Sequence, residues 1–208
     1  MNALAAAILE GDCAGALSSA RRLRQSGLSA ELIVIRGVEA AMAKLDAKCT
    51  LEQFNLLEIM LAGRAVMDVM KFLYPAGKEA QNTKGSVVLA ALEGDVHDLG
   101  KNILKMILIA NGYRVVDCGK DCPLEKLVAA AKAERPLAVG ISGLITPIIP
   151  LVRSVKEVLL KRQLGGVKVM AGGAALKQSS PDRLNVDFVA ESAFDALHYL
   201  EKLAGAGK

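Results

Sequence analysis

From about residue 86 onward the chain alternates short apolar runs with stretches of helical spacing, and this rhythm restricts the possible folds more than any other feature. The runs are residues 87–91, 113–116, 137–141, 167–170 and 186–189; helix-like stretches follow from Lys101, Leu124, Ile148, Leu176 and Ala193. Short continuous apolar runs suit strands covered on both faces. Strands that alternate with helices return to one sheet in parallel through right-handed crossovers. The alternation therefore predicts about five parallel strands with helices on both faces, a flavodoxin-like α/β architecture whose ligands sit over the carboxyl edge of the sheet.

The first loop on that edge carries the most chemistry. The run Val87-Val88-Leu89-Ala90-Ala91-Leu92 enters Gly94-Asp95-Val96-His97-Asp98-Leu99-Gly100, which sets one His between two acids. A His serves as a nitrogen ligand for a transition metal when it is neutral and oriented, and a carboxylate that accepts its other ring N–H achieves both. Asp95 and Asp98 are both candidates for that carboxylate; the bland alternative is a solvated loop His. Three more loops fall on the same edge: Gly119-Lys120-Asp121, Ser142-Gly143-Leu144-Ile145-Thr146 and Ala171-Gly172-Gly173-Ala174. Adjacent glycines let backbone approach a ligand, although Gly-Gly after a strand also makes an ordinary tight connection. Ser142 and Thr146 equally well cap the helix that follows. The chain has no Gly-x-x-x-x-Gly-Lys-Ser/Thr loop, which speaks against a nucleoside triphosphate as ligand.

Residues 1–74 have a different texture, with helical periodicity only. Ala14, Leu17 and Ala20, then Leu32, Ile35, Val38, Met42 and Leu45, recur at helix spacing, and Ser29 ahead of Glu31-Leu32 marks a helix start. Phe54, Leu57, Met60, Leu61, Met67, Met70 and Leu73 imply one long helix or two consecutive ones. About four helices with short connections make a small antiparallel bundle. The polar stretch 75–85, opened by Pro75 and closed by Gly85, reads as a linker. The expected organisation is a helical domain over 1–74, a linker over 75–85 and an α/β domain over 86–208.

Composition removes several function classes. No stretch of about 18 uninterrupted apolar residues exists to span a membrane, and the start of the chain lacks the basic n-region of a signal peptide. A net charge of +4 is mild, and the tightest basic cluster, Arg21-Arg22-x-Arg24, lies on an amphipathic helix without interleaved aromatics. That argues against nucleic acid as partner. The four cysteines, Cys13, Cys49, Cys118 and Cys122, show no disulfide spacing; they read as reduced structural thiols of a cytoplasmic protein.

Asp95-x-His97-x-x-Gly100, then Ser142-x-Leu144, then Gly172-Gly173, resembles the cobalamin-binding signature of the corrinoid proteins and is similar to the cobalamin-binding module of methionine synthase. The upstream helices resemble the four-helix cap of that family, so the resemblance covers nearly the whole chain. It implies a cobalamin cofactor bound base-off with His97 as the lower cobalt ligand and Asp95 hydrogen-bonded to its other nitrogen. Val96 and Asp98 belong to the same binding loop. Gly100 leaves room for the displaced nucleotide tail, Ser142 and Thr146 contact its nucleotide end with Leu144 a further cofactor-binding residue of that loop, Gly172 and Gly173 flank the pocket, and Ala193 stands at its mouth. Some relatives carry a Ser after Thr-Pro that completes a His–Asp–Ser relay. Here Ile148 follows Thr146-Pro147, so the relay stops at Asp95 or ends on water. In the cap, an ungapped reading sets Cys49 at the Phe and Leu56 at the Leu that cover the methyl-bearing face, with Leu57 for the usual Pro.

The implied function is a corrinoid methyl carrier without catalytic residues of its own. It shuttles a methyl group from a substrate:corrinoid methyltransferase to a second methyltransferase, which passes it to tetrahydrofolate or a thiol; a reductive activase is a further partner. The expected methyl-donor system is an O-demethylase. The alternative is a cobalamin-dependent sensor, which needs an output element for which neither end of the chain has room. A phosphoacceptor receiver would need Asp where Ile141-Ser142 stand.

Overall fold

The computed structural model describes residues 1–49, 56–75 and 84–206, with backbone alone at 46–49, 56 and 206. The chain divides into two compact units, Met1–Ala76 and Gly77–Lys208.

The first unit is helical: α1 (Asn2–Leu9), α2 (Cys13–Gln25), a continuous stretch made of α3 (Ala30–Ile33), a π-helical segment (Val34–Glu39) and α4 (Ala40–Cys49), and α5 (Leu56–Leu73). Asp12 caps α2 by accepting from Gly15 N at 2.9 Å, and Ser29 caps α3 by accepting from Leu32 N at 3.1 Å. These side chains satisfy amide donors that the first helical turn leaves unpaired. The buried stripe of the third stretch is Ile33, Val34, Gly37, Val38 and Ala41, offset from the expected Leu32, Ile35 and Met42. The wider π turn shifts the phase of the helix face there.

The second unit follows the predicted alternation: β1 (Ser86–Ala91), α6 (Leu99–Ala110), β2 (Arg114–Asp117), α7 (Leu124–Glu134), β3 (Ala138–Ser142), α8 (Ile149–Lys161), β4 (Lys168–Gly172), α9 (Pro181–Leu184), β5 (Phe188–Ala190) and α10 (Ala193–Ala206). The strands form one parallel sheet in the order β2-β1-β3-β4-β5, a flavodoxin-like fold. All of β1 after Ser86 is buried, because helices cover both faces of the central strands. The helix expected from Leu176 is absent. Leu176 is fully buried within a turn, and only the short α9 follows, capped by Ser180. A parallel sheet places the segments after β1, β2, β3, β4 and β5 along a single edge. No helix among the described residues is long and apolar enough to cross a membrane.

Candidate functional site

At the carboxyl edge, β1 runs out through a bridge at Leu92 into the His97 loop before α6 begins. Asp95 is completely buried and its carboxylate is saturated with N–H donors. Oδ1 accepts from His97 N at 2.9 Å and lies 2.8 Å from His97 Nδ1. Oδ2 accepts from Leu144 N at 2.7 Å, across from the β3 loop. An ionised carboxylate can only accept, so His97 Nδ1 is the donor of this pair and Nε2 is the ring nitrogen left over for another partner. The His97 side chain is 50% exposed. One oriented imidazole nitrogen is thus presented at the edge by a buried acid. The second oxygen of Asp95 accepts from the Leu144 amide, while Ile148, which offers no hydroxyl, is packed in the core.

The other residues expected at the site fall on the same edge. Val96 and Leu144, 56% and 39% exposed, put apolar side chains in solvent at the loops after β1 and β3. Asp98 precedes α6 without capping it through its side chain. A Cβ added to Gly100 would lie 3.7 Å from Ser142 Oγ, so the start of α6 and the end of β3 face each other with no side chain from residue 100 between them. Thr146 opens the short 3₁₀ turn ahead of α8 and is exposed. Gly172 ends β4, and Ala193 opens α10 just past β5. Gly173 has a packing reason of its own. It holds φ +102°, and a Cβ there would stand 2.5 Å from Gly143 O, so the β3 and β4 loops meet backbone to backbone. The side chains of Cys49 and Leu56, expected over the upper face, lie outside the described residues, as does most of the 75–85 linker.

The loop after β2 contributes what the sequence did not reveal. Asp121 Oδ1 accepts from Gly94 N at 2.9 Å, and Asp121 N donates to Asp95 O at 2.9 Å. Nearby, Asp117 at the end of β2 binds the buried Lys101 Nζ at 2.6 Å, Lys105 Nζ at 3.2 Å and Gly119 N at 2.9 Å. Burial alone would raise the Asp117 pKa, but these hydrogen bonds and the Lys101 charge outweigh it and hold the carboxyl below its usual range. Cys118 and Cys122 are buried free thiols, and burial pushes Cys118 up to about 11. They are held as unreactive thiols.

Among the described residues no group of three or more His, Cys, Asp or Glu comes together to hold an ion. What the edge offers is one imidazole nitrogen with exposed apolar side chains beside it. That donor set fits a metal arriving with its equatorial ligands in place on a broad, largely apolar macrocycle.

The comparisons with known proteins agree. A model of the B12 binding domain matches residues 85–198. Dimethylamine corrinoid protein 1 of Methanosarcina acetivorans is 34% identical over 175 residues, covering 82% of this chain and 82% of its own. The solved monomethylamine corrinoid protein of Methanosarcina barkeri is similar with a TM-score of 0.81 at 28% identity, covering 95% of both chains. A structure of the methanol:cobalamin methyltransferase complex from Methanosarcina barkeri gives a TM-score of 0.55 at 26% identity, covering 98% of this chain and 78% of that one.

Proposed function

This chain belongs to the B12-binding corrinoid proteins, with cobalamin as cofactor, and from that premise we propose that it is a methyl carrier working between two methyltransferases. Bound cobalamin supplies a cobalt centre able to accept and release a methyl group. The residues of the chain hold and tune that centre. His97 Nε2 would hold the cobalt, its direction fixed because Nδ1–H is committed to Asp95. Asp95 in turn cannot swing, since Leu144 N and His97 N grip it. Val96 and Leu144 give apolar contact beside the imidazole. Gly100 and Ser142 would leave room for the cofactor's nucleotide tail, and Thr146, Gly172, Gly173 and Ala193 lie along the rest of the edge.

The observation that carries this reading is the buried Asp95 bonded to a half-exposed His97 on the carboxyl edge of a B12-binding fold. The methyl donor we infer is a methylated amine or methanol, because the relatives reported above bear those names; they give no support to the O-demethylase system expected from the sequence. They also favour a carrier over a sensor. The donor-side methyltransferase, the acceptor-side enzyme that delivers to tetrahydrofolate or a thiol, and the reductive activase are proposed as partners. The test is electron paramagnetic resonance of the cobalt(II)-loaded protein. Wild type should show nitrogen hyperfine splitting from the imidazole, and His97→Ala should lose it while retaining its fold. Identical spectra would remove His97 as the ligand.

A further inference from the structure

Asp121 stands apart among the residues of the carboxyl edge. It holds φ +49°, in the left-handed region that L-residues rarely occupy. The other non-glycine residues in that region, among those described, are Arg135, Gln163 and Asn185. Arg135 and Asn185 are the C-caps of α7 and α9, and Gln163 lies just past α8; left-handed backbone is ordinary where a helix ends. Asp121 ends no helix. Its conformation instead serves two bonds into the His97 loop, one from its side chain and one from its backbone.

Those bonds grip the two peptides on which the site depends. Asp95 N donates to Leu92 O, and Asp95 O accepts from Asp121 N, so the peptide groups on both sides of Asp95 are pinned. Gly94, at φ +91° and without a side chain, would otherwise be the free hinge of the loop; its N–H is held by the Asp121 carboxylate. The brace is anchored in turn. Glu93 N donates to Cys122 O and Cys122 N to Ala91 O, while Asp117 ties the start of the β2 loop to α6 through Lys101 and Lys105. A strained residue kept in place by surrounding bonds marks a position where conformation serves a task.

We propose that Asp121 is a positioning residue that fixes the Gly94–Asp95 backbone so that His97 meets the metal in one orientation. The proposal rests on the reading of His97 as the axial ligand. It assigns to the β2 loop a role in cofactor ligation although the hydrogen bonds of Asp121 reach Gly94 and Asp95 and not His97 itself. Losing the carboxylate frees Gly94, allows Asp95 to shift against Leu144 N, and spreads the direction of Nε2.

Three substitutions separate the acceptor from the backbone strain. Asp121→Asn keeps a side-chain oxygen acceptor and tolerates positive φ. Asp121→Gly adopts the same φ without strain but has no acceptor, and Asp121→Ala lacks both. Each full-length protein is titrated with cobalamin, examined by cobalt(II) electron paramagnetic resonance, and melted without cofactor as a control for folding. Asp121→Asn should match wild type. Asp121→Gly should bind cobalamin about fivefold more weakly, the net scale of one typical hydrogen bond, and give a mixture of nitrogen-split and unsplit signals; Asp121→Ala should show the same defect together with a lower melting temperature. A wild-type affinity and a fully split signal in Asp121→Gly overturn the proposal, whatever happens to its melting. A loss in Asp121→Asn as large as in Asp121→Gly also overturns it. An unsplit signal in wild type instead removes the His97 reading, and the role of Asp121 with it.

Discussion

Asp95 and Asp117 are two sequestered carboxylates on the same sheet edge, and the fold treats them in opposite ways. Asp117 is answered by full positive charges, with Lys101, only 2% exposed, on one oxygen and Lys105 on the other. Its charge is balanced within the protein, and the cluster has nothing to offer a ligand. Asp95 is more deeply buried and receives N–H donors only; among the described residues no lysine or arginine pairs with it. A buried anion left with neutral donors is costly. Its third donor is the ring of the half-exposed His97. An acid balanced by lysines builds structure, whereas one balanced through an outward-facing imidazole is set up to bind.

That contrast breaks most visibly at Asp95. Asp95→Asn keeps the shape but turns one acceptor oxygen into an amide donor, which must then face either Leu144 N or the His97 donors. The expected result is a loss of about 10–100-fold in cobalamin affinity, the usual scale for removing the partner of a ligating His, with weakened nitrogen splitting. Lys101→Met should do the reverse. It leaves Asp117 with Lys105 and Gly119 N but strips away its buried cation, so urea unfolding should show a stability loss of about 2–3 kcal/mol while the nitrogen splitting persists. If Lys101→Met disturbs cobalt coordination as much as Asp95→Asn does, the two acids do not divide the work between structure and binding.

The sequence made some of this legible, for physical reasons that can be named. The Asp95–His97 pair could be read because its members stand two residues apart on one loop. The partners Leu144 N and Asp121 could not, since they reach Asp95 from loops 49 and 26 residues away (144 − 95 and 121 − 95) and bond through backbone N–H groups that every residue type but proline carries. The absence of a Ser at 148 was visible; the main-chain amide of Leu144 on the second oxygen of Asp95 left no mark in the sequence. The strands were found from their apolar runs, yet β2, β3 and β4 end on Asp117, Ser142 and Gly172. Backbone pairing extends into these polar or small residues beyond the run that hydrophobicity can detect. Leu176 misled in the opposite sense, because an apolar residue buried under a turn has the same pattern as one on a helix.

The smallest expected effect sharpens the comparison from the side of Asp117. In the folded protein its pKa lies below the ordinary 3.8 because hydrogen bonds from Lys101, Gly119 N and Lys105 overcome the effect of burial. A carboxyl with a depressed folded pKa contributes stability above its unfolded pKa and loses that contribution as pH falls through the folded value. Wild type should therefore weaken below about pH 4, with Asp117 adding at most about 1.4 kcal/mol per pH unit, the limit for one proton. Asp187 is depressed in the same way, since its bonds from Lys156 and Val169 N outweigh burial, so some acid sensitivity remains in any Asp117 variant. Asp117→Asn removes one titrating group and should flatten the curve between pH 4 and the acid transition by that one-proton slope, while stability near neutrality drops because both lysines lose their anion. Urea unfolding at a series of pH values reads the difference directly. Parallel wild-type and Asp117→Asn curves would mean that the Lys101–Asp117 cluster does not store charge-dependent stability, and that its contrast with Asp95 lies in packing rather than electrostatics.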